Sequence, residues 1–168
     1  QKGIKARFCL VDATVPHDVE AAIKDAVATF GRIDILCNNA SFGLLGNTST
    51  VLDLTTESWE RIVEVSLQGA FLFSQYALPF LRRSPKSSII NIVPYPFKGM
   101  HIVEGTSRGW MMAMTRDIAE GAIKSGVRVN LIWPHMTVSG VTLSVYQTAL
   151  ANRVFRMSRR DKNAARAI

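Results

Sequence analysis

Four short stretches, Arg7–Asp12, Ile33–Asn38, Ser88–Val93 and Val127–Trp133, are continuous apolar runs of strand length, and segments with helical spacing lie between them. A strand exposed on one face alternates apolar with polar residues. A run without that alternation predicts a strand covered on both faces, as in a parallel sheet whose crossover helices lie above and below it. Strand then helix, repeated, therefore predicts an α/β domain with a parallel sheet. In such sheets ligands bind beyond the carboxyl ends of the strands. Those ends are Asp12, Asn38-Asn39-Ala40, Pro94-Tyr95 and Pro134-His135.

The helices are marked by three- and four-residue steps. Val19, Ile23, Ala26, Val27 and Phe30 follow Pro16, which suits a first helical turn, and Gly31 supplies a left-handed stop. Trp59, Ile62, Val63, Ser66, Ala70, Phe73, Ala77 and Phe80 predict a long helix over Trp59–Arg82, with Leu67, Phe71, Leu72 and Leu78 on its other faces. A helix apolar nearly all round is expected to be buried twice, against its own sheet and against a second subunit. Met111, Met114, Ile118 and Ala122 share one face of a helix over Glu104–Lys124 that stops near Gly126.

The 168 residues suit one domain, with a core over residues 4–140 and a basic segment over 141–168. With 48% hydrophobic and 20% charged residues, the chain has material for a core and is not compositionally disordered. No apolar run approaches the roughly 18–20 residues of a membrane span, and no signal segment opens the chain. A cytoplasmic, membrane-free protein is the expectation. Cys9 and Cys37 sit inside apolar runs, which predicts two buried reduced thiols and no metal site. Much of the net charge of +7 lies in Arg153, Arg156, Arg159, Arg160, Lys162 and Arg166. Nothing pairs those residues with stacking aromatics, so a solvated face is favoured over a nucleic-acid partner.

Three motifs in order carry a resemblance. "FGRIDILCNNAS" is similar to the F-G-x-I/L-D-x-L-V-N-N-A-G strand of the short-chain dehydrogenase/reductase family, with Ser41 where glycine is usual. "GVRVNLIWPHMT" resembles its G-I-R-V-N-x-I-x-P-G-x-x-T, and "TRDIAEG" resembles the helix after its catalytic tyrosine and lysine. The resemblance implies a Rossmann-like three-layer α/β/α fold, here expected to be truncated at both ends. The family's opening T-G-x-x-x-G-x-G turn, which seats the dinucleotide pyrophosphate on a helix N-terminus, has no counterpart before the Phe8 run. The family's sheet order, 3-2-1-4-5-6-7, would leave that run without its usual neighbours. Missing elements supplied from elsewhere, re-pairing beside the Ile35 run, or an excerpt of a longer polypeptide would each account for it.

The same resemblance locates the family's asparagine, serine, tyrosine and lysine on Ser66, Pro94, Glu104 and Arg108. All four have changed. A phenol of pKa about 10 can pass a proton to a carbonyl oxygen when an ammonium lies beside it. A glutamate of reference pKa about 4.3 beside a guanidinium stays ionised, and arginine does not join a proton relay. Glu104 and Arg108, with Tyr95, His101 and His135 on segments expected to converge on the strand ends, are the candidate catalytic residues. The resemblance further implies dinucleotide contacts at Asp12, Asn38, Asn39, Ala40 and Thr137.

These residues favour a non-redox acid–base enzyme of the isomerase, cyclase or lyase type, acting on a small organic molecule with no cofactor. One alternative is an NAD(P)-dependent oxidoreductase of the family whose missing parts lie outside this chain. Another is a non-catalytic pseudoenzyme or dimeric scaffold. A homo-oligomer through residues 59–82 and 104–124 is expected, and no metal.

Overall fold

The computed structural model describes residues 3–41, 51–52, 54–93 and 102–134, with the side chains of 102–104 outside that set. Its sheet has three parallel strands in the order β1 (Ile35–Asn38), β2 (Ser88–Ile92) and β3 (Arg128–Ile132). Leu36 pairs with Ile89 and Ile89 with Val129, while Asn38 pairs with Asn91 and Asn91 with Leu131. These residues share one face of the sheet, because side chains alternate along each strand. The architecture is Rossmann-like α/β. Gln1–Trp133 form one compact unit.

Helix α1 (Pro16–Phe30) begins with proline in its first turn and ends where Gly31, at φ 83°, donates its N–H to Val27 O. Helix α2 (Thr56–Val63) is capped by Thr55, whose hydroxyl accepts from Ser58 N. A π-helical turn, Glu64–Gln68, joins it to α3 (Gly69–Leu81). The expected long helix is thus present but carries one wide turn, centred on Ser66. Helix α4 (Ile102–Ala122) tightens into a 3-10 turn and stops at Gly126, at φ 74°. No helix among the described residues is long and apolar enough to cross a membrane.

The core lies on one face of the sheet. Ile23 of α1, Ala77 and Leu81 of α3, Ile89 of β2 and Ala122 of α4 form one buried cluster with Val127. A second cluster, Leu67, Ala70, Val93 and Met111, sits at the carboxyl end of β2. The opposite face shows Ile35, 61% exposed, with Cys37, Arg128, Asn130 and Ile132 also exposed. Among the described residues, helices cover one side only.

Two expectations are corrected. Arg7–Asp12 is not a strand: Phe8 is 86% and Leu10 91% exposed, and residues 4–11 form no backbone hydrogen bond with a described residue. The Phe8 run therefore has not re-paired beside β1, which pairs among the described residues with β2 alone. An apolar run becomes a strand only where a neighbour accepts its backbone hydrogen bonds. The cysteines are free, as expected, but both are exposed and not buried. Cys9 lies on the unpaired segment and Cys37 on the uncovered face of β1.

Candidate functional site

The strand carboxyl ends and the helices that flank them set the geometry of the site. Asn38 closes β1 and is buried, while Asn39 and Ala40, the next two residues, are exposed. Asn38 Nδ2 donates to Asn91 Oδ1 at 2.8 Å and lies 3.1 Å from Ser74 Oγ on α3. Asn91 Nδ2 donates in turn to Thr115 Oγ1 at 2.9 Å, and the Thr115 hydroxyl donates to Met111 O at 2.6 Å. Ser74 Oγ donates to Ala70 O at 2.7 Å. All four side chains are buried, Asn91 completely. A hydrogen-bonded polar chain thus runs beneath the strand ends and ties α3, β1, β2 and α4 together.

The loop Asp12–Thr14 is brought to the same rim by close packing. A Cβ on Gly69 would stand 3.1 Å from Ala13 Cβ, so the absence of a side chain at Gly69 lets the loop press against the start of α3. Gln68 Nε2 donates to Thr14 O at 3.3 Å across the same contact. Asp12 shapes the loop through its own carboxylate, which accepts from Thr14 N at 2.9 Å and from Thr14 Oγ1 at 2.7 Å. Those two bonds, the backbone one foremost, hold its pKa below the usual aspartate value. Asp12 is exposed and stays ionised.

Arg108 lies on the inward face of α4, in phase with Met111, Thr115 and Ala122, and is only 6% exposed. A guanidinium keeps its charge in such a setting, so α4 carries a fixed positive charge into the interior near the strand ends. Glu104 lies on the same helix one turn earlier, with its side chain outside the described residues. Ser66 is buried in the π-helical turn, a feature often found at functional sites because it re-aims one residue of a helix. Tyr95, His101, His135 and Thr137, and the basic segment, lie outside the described residues.

The comparisons with known proteins agree with this arrangement of strands and helices. A family model described as Enoyl-(Acyl carrier protein) reductase matches residues 1–165. The chain belongs to the short-chain dehydrogenase/reductase family. That family of oxidoreductases includes a Mycobacterium tuberculosis reductase, (5R,7aS)-5-hydroxy-7a-methyl-1-oxo-2,3,5,6,7,7a-hexahydro-1H-indene-carboxyl-CoA reductase, 33% identical over 134 residues. The match covers 77% of this chain and 50% of that protein. A 3-alpha-(or 20-beta)-hydroxysteroid dehydrogenase of the same organism is 32% identical over 152 residues, covering 86% and 57%. The crystal structure of an NAD+-bound xylitol dehydrogenase superposes with a TM-score of 0.75 at 27% identity, covering 83% of this chain and 54% of that one. The chain spans about half the length of the curated relatives it matches.

In this short-chain dehydrogenase/reductase, the structure brings Asp12, Ser66 and the Asn38 strand end to one side of the sheet. Asn38 has its amide committed to Asn91 and Ser74, whereas Asn39, Ala40 and Asp12 are exposed among the described residues. Asn91, Ser74 and Thr115 were not singled out as site residues by sequence. The signal was partial: Asn91 is a lone polar residue within an apolar run, and buried polar groups must find partners, whereas Ser74 and Thr115 stand beside Gln75 and Arg116 and are not singled out by local pattern.

Proposed function

We propose that this chain forms part of an NAD(P)-dependent oxidoreductase. The observation that carries the reading is the match of residues 1–165 to a family of dehydrogenases and reductases, one of whose solved members holds NAD+. It takes precedence over a cofactor-free enzyme, for which none of the relatives named above speaks.

The described residues fit the nucleotide part of such a cofactor. Asn39 and Ala40 are exposed at the carboxyl end of β1, where open α/β sheets take their ligands, and Asp12 is exposed on the loop packed against the start of α3. Asp12 is ionised and suited to a donor such as a ribose hydroxyl or an adenine amino group. Thr137 is the proposed contact to the nicotinamide amide. The cofactor, when bound, supplies the hydride donor or acceptor. The chain's own contribution is to orient: Arg108 holds an invariant positive charge, which favours an anionic group on cofactor or substrate.

A second reading keeps its place through one observation, the Glu104/Arg108 pair at the family's tyrosine and lysine positions. Under it the pocket performs acid–base chemistry on a small organic molecule without hydride transfer, and Tyr95, His101 or His135 carries the proton. Titration of the purified chain with NADH and NADPH, followed by fluorescence and calorimetry, separates the two. Weak binding is the expected result, because the glycine turn that seats the pyrophosphate has no counterpart in these residues, and silence up to millimolar dinucleotide returns the second reading to first place. Arg108→Met should weaken binding at least about tenfold, the scale of a lost charge-assisted contact.

We also propose self-association through the outward sides of α3 and α4. Leu67, Phe71, Trp110 and Met114 line an apolar hollow there, with Gln68 at its edge. Phe71 and Trp110 are about half exposed, and Trp110 meets Trp59 edge-on at 6.4 Å. Light scattering should report a dimer or larger species, and Phe71→Asp should dissociate it.

A further inference from the structure

We infer that Thr115, acting through Asn91 and Asn38, is a positioning residue that fixes where α4 presents Arg108 beneath the strand ends. The polar chain has one direction. The Thr115 hydroxyl spends its proton on Met111 O, so its oxygen can only accept, and the amide of Asn91 must meet it with Nδ2. That in turn leaves Asn91 Oδ1 for the amide of Asn38. At the Thr115–Asn91 and Asn91–Asn38 links one donor meets one acceptor.

Such a chain specifies the helix more tightly than its apolar contacts do. Met111, Ile118 and Ala122 pack on the sheet by surface area, which changes little when a helix slides or turns slightly. The hydrogen bonds are directional, and a slip of one residue would move Thr115 by about 1.5 Å along the axis and about 100° around it. The buried amide of Asn91 would then lose its acceptor, a cost water cannot meet because Asn91 is fully buried. Arg108 lies seven residues before Thr115 on the same face, about 10 Å along the helix. Whatever locks Thr115 therefore locks Arg108. At its other end the chain reaches Ser74 of α3, so the two helices beside the site are set against one another through the sheet.

Hydrogen exchange on the purified chain tests this without reference to any cofactor. Thr115→Val leaves an orphaned amide and should speed exchange in α4 from Gly105 to Met114 by about tenfold relative to α1, whereas Thr115→Ser should stay close to the parent. The decisive variant is Asn91→Leu with Thr115→Val, which removes both partners and leaves no orphan between them. A purely structural pair is replaceable by apolar packing, so thermal stability should return. A positioning pair is not replaceable, so exchange at the start of α4 should stay fast. Recovery of both stability and exchange overturns the inference, as does a double variant that fails to fold or a loss of protection spread evenly over α1, α3 and α4. NADH affinity gives a second readout that rests on the proposed oxidoreductase reading, with an expected loss of about fivefold in the double variant. If the parent chain binds no dinucleotide, that reading fails while the exchange result still judges the role of Thr115.

Discussion

Arg7–Asp12 and Ile33–Asn38 are nearly the same kind of sequence, a short apolar run with a cysteine inside and an acid or amide at its end. One is a paired strand of the sheet and the other is not a strand at all. Ile35–Asn38 finds β2 at its side in parallel register and α3 above it. Among the described residues, 4–11 find no strand, so Phe8 and Leu10 are exposed and the contacts that hold the segment are made by side chains. Arg7 forks onto Asp25 of α1 at 2.5 and 2.8 Å, and Cys9 donates to the same carboxylate at 3.2 Å. Strand propensity belongs to a run; strand formation belongs to a pair.

Truncations should separate the two regions most widely. Ile89→Ala removes a fully buried side chain from β2, at the centre of the cluster with Leu81 and Ala122, and should cost about 3 kcal/mol in urea unfolding. Phe8→Ala deletes a larger side chain and should cost less than about 0.5 kcal/mol, because little of it leaves water. A large loss at Phe8 would show that the segment is paired in solution. Next in size is the polar chain. Asn91→Ala removes a buried bond on each side, though Asn38 Nδ2 keeps Ser74 Oγ and the Thr115 hydroxyl keeps Met111 O, and should cost about 2 kcal/mol, while Asn39→Ala, exposed one residue beyond β1, should be near neutral.

A smaller effect asks how firmly the first region is held. Gly69→Ala gains helix propensity of up to about 1 kcal/mol but places a Cβ against Ala13. Since the segment before Ala13 has no strand pairing, the loop should yield by a few tenths of an ångström. The variant is expected to be neutral or slightly stabilising. A clear destabilisation would mean that the Asp12 loop is rigidly fixed against α3.

What was legible in the sequence follows the same division. The three paired strands, the stops at Gly31 and Gly126 and the family motifs depend on local pattern, and each is found within two residues of its expected bounds. The Phe8 strand and the burial of both cysteines depended on neighbours that the pattern could not supply. Arg108 was legible as a residue of α4 one turn from Glu104. Its burial was not, because a charged residue at helical spacing gives no sign of which way its face turns. Of the polar chain, Asn91 stood in plain view within an apolar run, but only the packing of α3 and α4 on the paired strands shows that it meets Asn38 and Thr115.

The weakest expected effect concerns the tie that replaces strand pairing. Arg7 lowers the pKa of Asp25 chiefly by donating to its carboxylate, with the Cys9 thiol helping and desolvation opposing. A carboxyl whose folded pKa is depressed adds stability above its unfolded value, near 3.9, and loses it as pH falls through the lower folded value. Arg7→Gln should therefore lower the melting temperature by about a degree at pH 7 in low salt, since the pair is exposed and screened. The difference should shrink in molar salt and vanish below the depressed value, where Asp25 is protonated in both proteins. A deficit that persists unchanged into acid would assign the effect of Arg7 to packing of its stem and not to the charge on Asp25. The unpaired segment would then be held by apolar contact, and its contrast with the β1 region would be one of degree.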